Sequence, residues 1–199
     1  VTFKTARGEK VNAQAASSFI SLDQAWTNFK EVEGKCFAEV RDEAKARWND
    51  VLGRIQVGGG TDDQYRTFYS CLYRSVLFPR KFYELNEEGK PVHYSPYNGQ
   101  VCDGYLYTDT GFWDTFRCLF PLLNLVYPSV NAEIQQGLAN IARENQFLPE
   151  WASPGHRGCM VGNNSASVVA DAIMKGITPK EEWQTLYDCI VYGTENVHP

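Results

Sequence analysis

From residue 22 onward, apolar positions recur mostly at helical spacing. Phe37, Val40, Ala44, Trp48, Val51, Leu52 and Ile55 mark one face over about five turns. Gly58-Gly59-Gly60 stops that pattern. No Gly-Lys-Ser/Thr follows, so these glycines read as a helix stop and turn, not a phosphate loop. Ser21 with Gln24, and Thr61 with Gln64, have the spacing of capping boxes and predict helices over 22–33 and from residue 62 to Leu77, ending before Pro79. Gly111–Tyr127 reads as one helix closed by Pro128, and Val130, Ile134, Leu138 and Ile141 set the next. Asn164 or Ser165 is expected to cap a helix through Val168, Val169, Ala172 and Ile173. Thr178-Pro179-Lys180-Glu181 opens a last one with an N-cap Thr and Pro at the first helical position.

Two stretches break the period. Residues 80–110 are rich in Tyr, Gly and Pro, and 147–162 are equally irregular. Loops this long inside a domain are usually functional or carry their own hairpin. About six helices, joined alternately by short turns and long loops, predict a mainly α fold of the α/α toroid type. No internal repeat supports a solenoid. Residues 1–20 alternate weakly around Arg7-Gly8-Glu9-Lys10 and predict a β-hairpin belonging to a sheet made elsewhere.

Composition narrows the function. The net charge of −5 comes without any Lys/Arg block, which argues against nucleic acid as a partner. No apolar run is long enough to span a bilayer. The N-terminus has no signal-peptide pattern and no Met, so the chain is expected to be processed or cut from something longer. Six cysteines show neither zinc-finger nor CxxC spacing and read mostly as small buried hydrophobes. An aromatic content of 14% is large enough to suggest a cleft for stackable ligands as well as a core.

The candidate chemistry lies in and after the long loops. In Gly111-Phe112-Trp113-Asp114-Thr115-Phe116-Arg117, an indole can stack on the apolar face of a pyranose, a carboxylate can accept hydroxyls, and an Arg can donate to sugar oxygens. The alternative is a dipole-compensating Asp114 paired with Arg117 beside a packed Trp113. Glu150-Trp151 repeats the pairing of carboxylate and indole. Asn163-Asn164-Ser165 also reads as a glycosylation sequon, though poorly exposed. Asp171, among apolar neighbours, must be paired, to Arg117 or another basic group, or it lines the pocket. His93, His156 and His198 are isolated in sequence and show no ligand-like spacing.

Trp113-Asp114-Thr115-Phe116-Arg117, Phe147-Leu148-Pro149-Glu150-Trp151, Met160-Val161-Gly162-Asn163-Asn164-Ser165 and Ala170-Asp171-Ala172, in this order and with Leu72-Tyr73-Arg74-Ser75 and Phe78-Pro79-Arg80 before them, resemble glycoside hydrolase family 92. The resemblance runs through nearly the whole chain. These are calcium-dependent, inverting, mostly exo-acting α-mannosidases that act mainly on α-1,2 linkages. It implies that residues 1–20 end an N-terminal β-sandwich, 21–35 connect, and 36–199 form the first part of an (α/α)6 catalytic toroid.

By the same resemblance, Trp113, Asp114 and Arg117 position the terminal mannose, and Trp151 and Asn163 wall the site. The family's catalytic acid and base have no match in this chain. Glu150 and Asp171 are therefore not assigned as catalytic, and the calcium ligands are expected outside the chain too. The implied partner is a mannose-containing glycan, as in N-glycan degradation. The missing half of the toroid, or another partner, is expected to cover the exposed helix faces, and export to the periplasm or beyond is expected. A noncatalytic mannose-binding or scaffold protein, and a different toroid enzyme such as a glucosidase or polysaccharide lyase, are the competing readings.

Overall fold

The computed structural model describes residues 1–199. Helices dominate: α1 (Leu22–Phe29), α2 (Phe37–Leu52), α3 (Asp62–Ser75), α4 (Phe112–Thr115), α5 (Leu119–Val126), α6 (Pro128–Asn145), α7 (Asn164–Met174) and α8 (Trp183–Glu195), the last entered through a 3-10 turn at Lys180–Glu182. Seven short strands fill the long loops: β1 (Arg80–Lys81), β2 (Glu84–Leu85), β3 (Pro91–Tyr94), β4 (Val101–Asp103), β5 (Tyr107–Thr108), β6 (Thr110–Gly111) and β7 (Trp151–Ala152). They form an antiparallel β2-β3-β4 meander and two separate pairs, β1-β5 and β6-β7.

The core lies between α5, α6, α7 and α8. Phe112, Phe120, Ile134, Leu138, Ile141, Val168, Val169 and Leu186 are almost wholly buried there. Gly137 of α6 faces the chain before β5, where a Cβ would just reach van der Waals contact, 3.4 Å, with the Tyr105 carbonyl oxygen. A polar ladder crosses the same region. Asn131 donates to Asn124, Gln135 donates to Asn131, and Asn124 donates to Asp171 at 2.8 Å. Burying these amides is tolerable because they largely satisfy one another, Gln135 Oε1 alone being left without a partner.

Several expectations need correction. Residues 1–20 form no strand pairing and run as an exposed arm with a turn at Arg7-Gly8. Thr61 and Gln64 make the full capping box. Ser21 makes only half of one, because the Gln24 amide turns away to Asn28 and the Leu85 carbonyl. The helix foreseen over 111–127 is two helices. A continuous one would need Arg117 C=O to accept from Pro121, which has no N–H, and the chain turns at Phe116–Cys118 instead.

Thr178 does not cap α8. It is buried, its hydroxyl has no partner, and its carbonyl accepts from Trp183 Nε1. The α2 stripe is helical as far as Leu52 but largely uncovered, with Phe37 80% exposed and only Val40, Val51, Leu52 and, beyond the helix, Ile55 partly sheltered. Of the cysteines, Cys189 alone is buried; Cys36, Cys71, Cys118 and Cys159 are exposed free thiols.

Candidate functional site

The two long loops meet through the β6-β7 ladder, in which Gly111 pairs with Trp151 and Thr110 with Ala152. Phe112 N–H donates to the Glu150 carbonyl at 3.0 Å and extends the strap by one residue. The ladder brings Trp113, Asp114 and Trp151 to one place. A Cβ on Gly111 would lie 2.5 Å from Trp151 Cζ3 and 2.9 Å from Asp114 Oδ2, so the indole and the carboxylate both press against this one backbone position.

Asp114 is exposed, stands in the first turn of α4, and makes no hydrogen bond or ion pair within the chain. The alternative pairing of Asp114 with Arg117 does not form. Arg117 Nη1 donates to the Trp113 carbonyl at 2.6 Å, and the guanidinium lies over the Trp113 ring at 4.7 Å and the Phe116 ring at 4.4 Å. Arg117 thus braces Trp113 by cation–π contact and leaves the Asp114 carboxylate free. Trp113 remains 45% exposed, a surface on which an apolar ring face can stack.

Glu150 has a role that local sequence reading missed. It caps α7 from outside the helix. Its carboxylate accepts from Asn164 N–H at 2.8 Å, from Ser165 N–H at 3.4 Å and from the Ser165 hydroxyl at 2.6 Å. A carboxylate at a helix N-terminus meets both the unpaired N–H groups and the favourable end of the dipole. The expected cap residues act otherwise: helix α7 starts at Asn164, whose side chain donates back to the Val161 carbonyl. The only sequence signal for this arrangement is an acidic residue in an irregular loop, with nothing local to connect it to a helix 14 residues later.

Asn163 lies apart from the Gly111 junction. With Glu150, Phe147, Arg157, Met160 and His198 it lines a cavity of about 240 Å³ whose walls do not include Trp113, Asp114, Arg117 or Trp151. Asp171 is held by Asn124 and by Lys175 at 2.8 Å, not by Arg117.

The histidines are less isolated than their spacing suggests. His156 Nε2 lies 2.6 Å from Asn145 Oδ1, and its ring packs edge-on against Tyr97 and His198. Burial, and then the neighbouring His198, push its pKa down to about 4. His93 is fully buried, with Nδ1 2.9 Å from the Gly104 carbonyl and Nε2 2.8 Å from Glu144 Oε1.

The group of three His, Cys, Asp or Glu donors that the fold gathers is His93, Cys102 and Glu144, a nitrogen, a sulfur and a carboxylate. Calcium takes six to eight oxygen ligands. This donor set does not fit it. No helix is long and apolar enough to cross a membrane.

Residues 24–199 match the glycosyl hydrolase family 92 catalytic domain, and the chain belongs to that family. It is 51% identical to an inverting mannosidase of the family from Bacteroides thetaiotaomicron, with a TM-score of 0.86 over 91% of this chain and 25% of that one. A second α-mannosidase of the family from the same organism is 28% identical, with a TM-score of 0.81 over 91% of this chain and 24% of that one, and one of its structures holds mannoimidazole. A protein of Arthroderma benhamiae described as an uncharacterized secreted glycosidase is 28% identical over 192 residues, 94% of this chain and 20% of its own length. The chain therefore spans about a fifth to a quarter of the relatives it matches.

Proposed function

We propose that this chain is the segment of an exo-acting α-mannosidase that positions the terminal sugar, the parent enzyme removing α-1,2-linked mannose from glycans with inversion. The observation that carries the reading is the junction at Gly111. An exposed carboxylate with no partner in the chain, Asp114, and the indole of Trp151 flank one backbone position, beside a Trp113 ring braced by Arg117. A carboxylate of this kind accepts two vicinal hydroxyls, and an indole face covers the C–H surface of a pyranose. The mannosidase activity of two solved relatives, and the mannoimidazole held by one, support mannose as the sugar.

In this reading residues 1–20 end a β-sandwich, 21–35 connect, and 36–199 begin an (α/α)6 toroid. Asn163 walls the site from the neighbouring cavity. The acid that protonates the leaving oxygen and the base that activates water across the ring belong to the rest of the parent. Any calcium ion of the parent also takes its oxygen ligands from there. The exposed apolar side chains Phe37, Leu125, Met174 and Tyr187 would then face the remaining helices rather than solvent. Export of the parent follows the description of the Arthroderma relative as secreted.

The test is Asp114→Ala in the parent enzyme. Loss of hydrogen bonds to a charged acceptor predicts a fall of about 10- to 100-fold in kcat/KM for α-1,2-mannobiose, with the fold intact by circular dichroism. Unchanged hydrolysis would remove Asp114 from the site. The 199-residue chain alone is expected to leave α-1,2-mannobiose uncleaved with calcium present, and turnover by it would turn attention back to Glu150 and Asp171.

A further inference from the structure

We propose that His93, Cys102 and Glu144 form a zinc-binding site that pins the β3-β4 hairpin to the last turn of α6. The three residues come from three elements, His93 from β3, Cys102 from β4 and Glu144 from the end of α6, and their ligand atoms lie within 4.8 Å of one another. A buried hydrogen bond between His93 and Glu144 accounts for part of this geometry, but two features exceed it.

That hydrogen bond uses only one carboxylate oxygen. Glu144 Oε2 is buried without a hydrogen-bond partner, on a side chain only 8% exposed. Leaving such an oxygen unpaired is costly, and a cation beside it removes the cost. The Cys102 thiol is held only by two long, weak hydrogen bonds, accepting from Asn98 Nδ2 at 3.7 Å and donating to the Gln100 carbonyl at 3.9 Å.

The imidazole is oriented as metal-binding histidines are. A carbonyl can only accept, so Nδ1 carries a proton and donates to Gly104 O, which directs Nε2 toward the carboxylate. Bonds of 2.0–2.3 Å around a tetrahedral zinc put ligand atoms roughly 3.3–3.8 Å apart. Nε2 and Oε1, at 2.8 Å, need to part slightly, while the thiol, within 4.8 Å of both, needs to close in.

Nitrogen, thiolate and carboxylate together favour zinc over calcium or magnesium. On binding, the ion takes the place of the one proton between Nε2 and Glu144 Oε1 and of the thiol proton, and both leave to solvent. Glu144 Oε2 or a water fills the fourth position. Cys102 is partly exposed and gives the ion a way in.

Cobalt is the probe of choice, because a cobalt–thiolate bond absorbs in the near ultraviolet and a cobalt–carboxylate or cobalt–imidazole bond does not. The chelator-stripped parent protein is expected to take up one cobalt with that band, and zinc is expected to displace it. Cys102→Ser leaves the His93–Glu144 pair in place. It is expected to abolish the band and to weaken zinc by more than the 10- to 100-fold that loss of a partner behind a ligand brings.

No thiolate band in the unchanged protein, or a band and zinc affinity that survive Cys102→Ser, would overturn the site. Should Cys102→Ser fail to fold, anomalous scattering at the zinc edge in crystals of the unchanged protein decides: a peak between the three side chains supports the site, and its absence after zinc soaking refutes it.

Discussion

Gly111 and Trp151 face each other across a two-residue antiparallel ladder, and the indole occupies the space that a side chain on residue 111 would need. Gly111 has an ordinary extended backbone, with φ of −97°, so its requirement is steric rather than conformational. Gly111→Ala should drive a methyl group into Trp151 and Asp114. Overpacking of this kind costs about 1–3 kcal/mol. Urea denaturation should show the loss, and the parent enzyme should lose mannose affinity because both sugar-facing groups are displaced.

Glu150 gives a second prediction. Glu150→Ala removes every acceptor from Asn164 and Ser165 and should destabilise by about 1–2 kcal/mol, the usual worth of a helix cap. Glu150→Gln keeps one acceptor oxygen and should lose less. Equal losses in denaturation midpoint for the two variants would contradict a capping role.

Arg117 acts through Trp113. Arg117→Lys keeps the charge but loses the planar face laid over two rings. The contact is on the surface and is worth about 0.5–1 kcal/mol. The parent's KM for mannoside should rise by about 2- to 5-fold with little change in kcat. A fall in kcat with unchanged KM would instead place Arg117 nearer the reacting bond.

His156 should make stability depend on pH in a defined window. Its folded pKa is about 4, against 6.5 in the unfolded chain, so between these values the unfolded chain binds a proton that the folded one refuses. The stabilisation is complete above pH 6.5 and is lost as pH falls toward 4. His156→Gln should flatten the dependence of urea midpoint on pH between 7 and 4.5, and NMR should find the wild-type imidazole neutral at pH 5.

What the sequence made legible was periodic or local. The α3 capping box, the α6 stripe of Ile134, Leu138 and Ile141, and the grouping of Trp113 with Asp114 all follow from spacing within one element. The failures are pairings between elements. Nothing near Glu150 points to α7, and nothing near His93 points to Glu144, because each contact is made only when the chain folds back. Pro121 is the exception: the break between α4 and α5 was written in one residue, and the apolar run across it hid the signal.

The β6-β7 ladder also bears on how this family could be re-engineered. The 110–117 and 147–163 loops share hydrogen bonds, a ring packed against a glycine, and a register fixed at Gly111↔Trp151. A loop transplanted from a relative with another linkage preference carries only half of that joint. Grafts that exchange both segments together should give soluble, active chimeras, whereas single-loop grafts should leave Trp151 opposite the wrong neighbour.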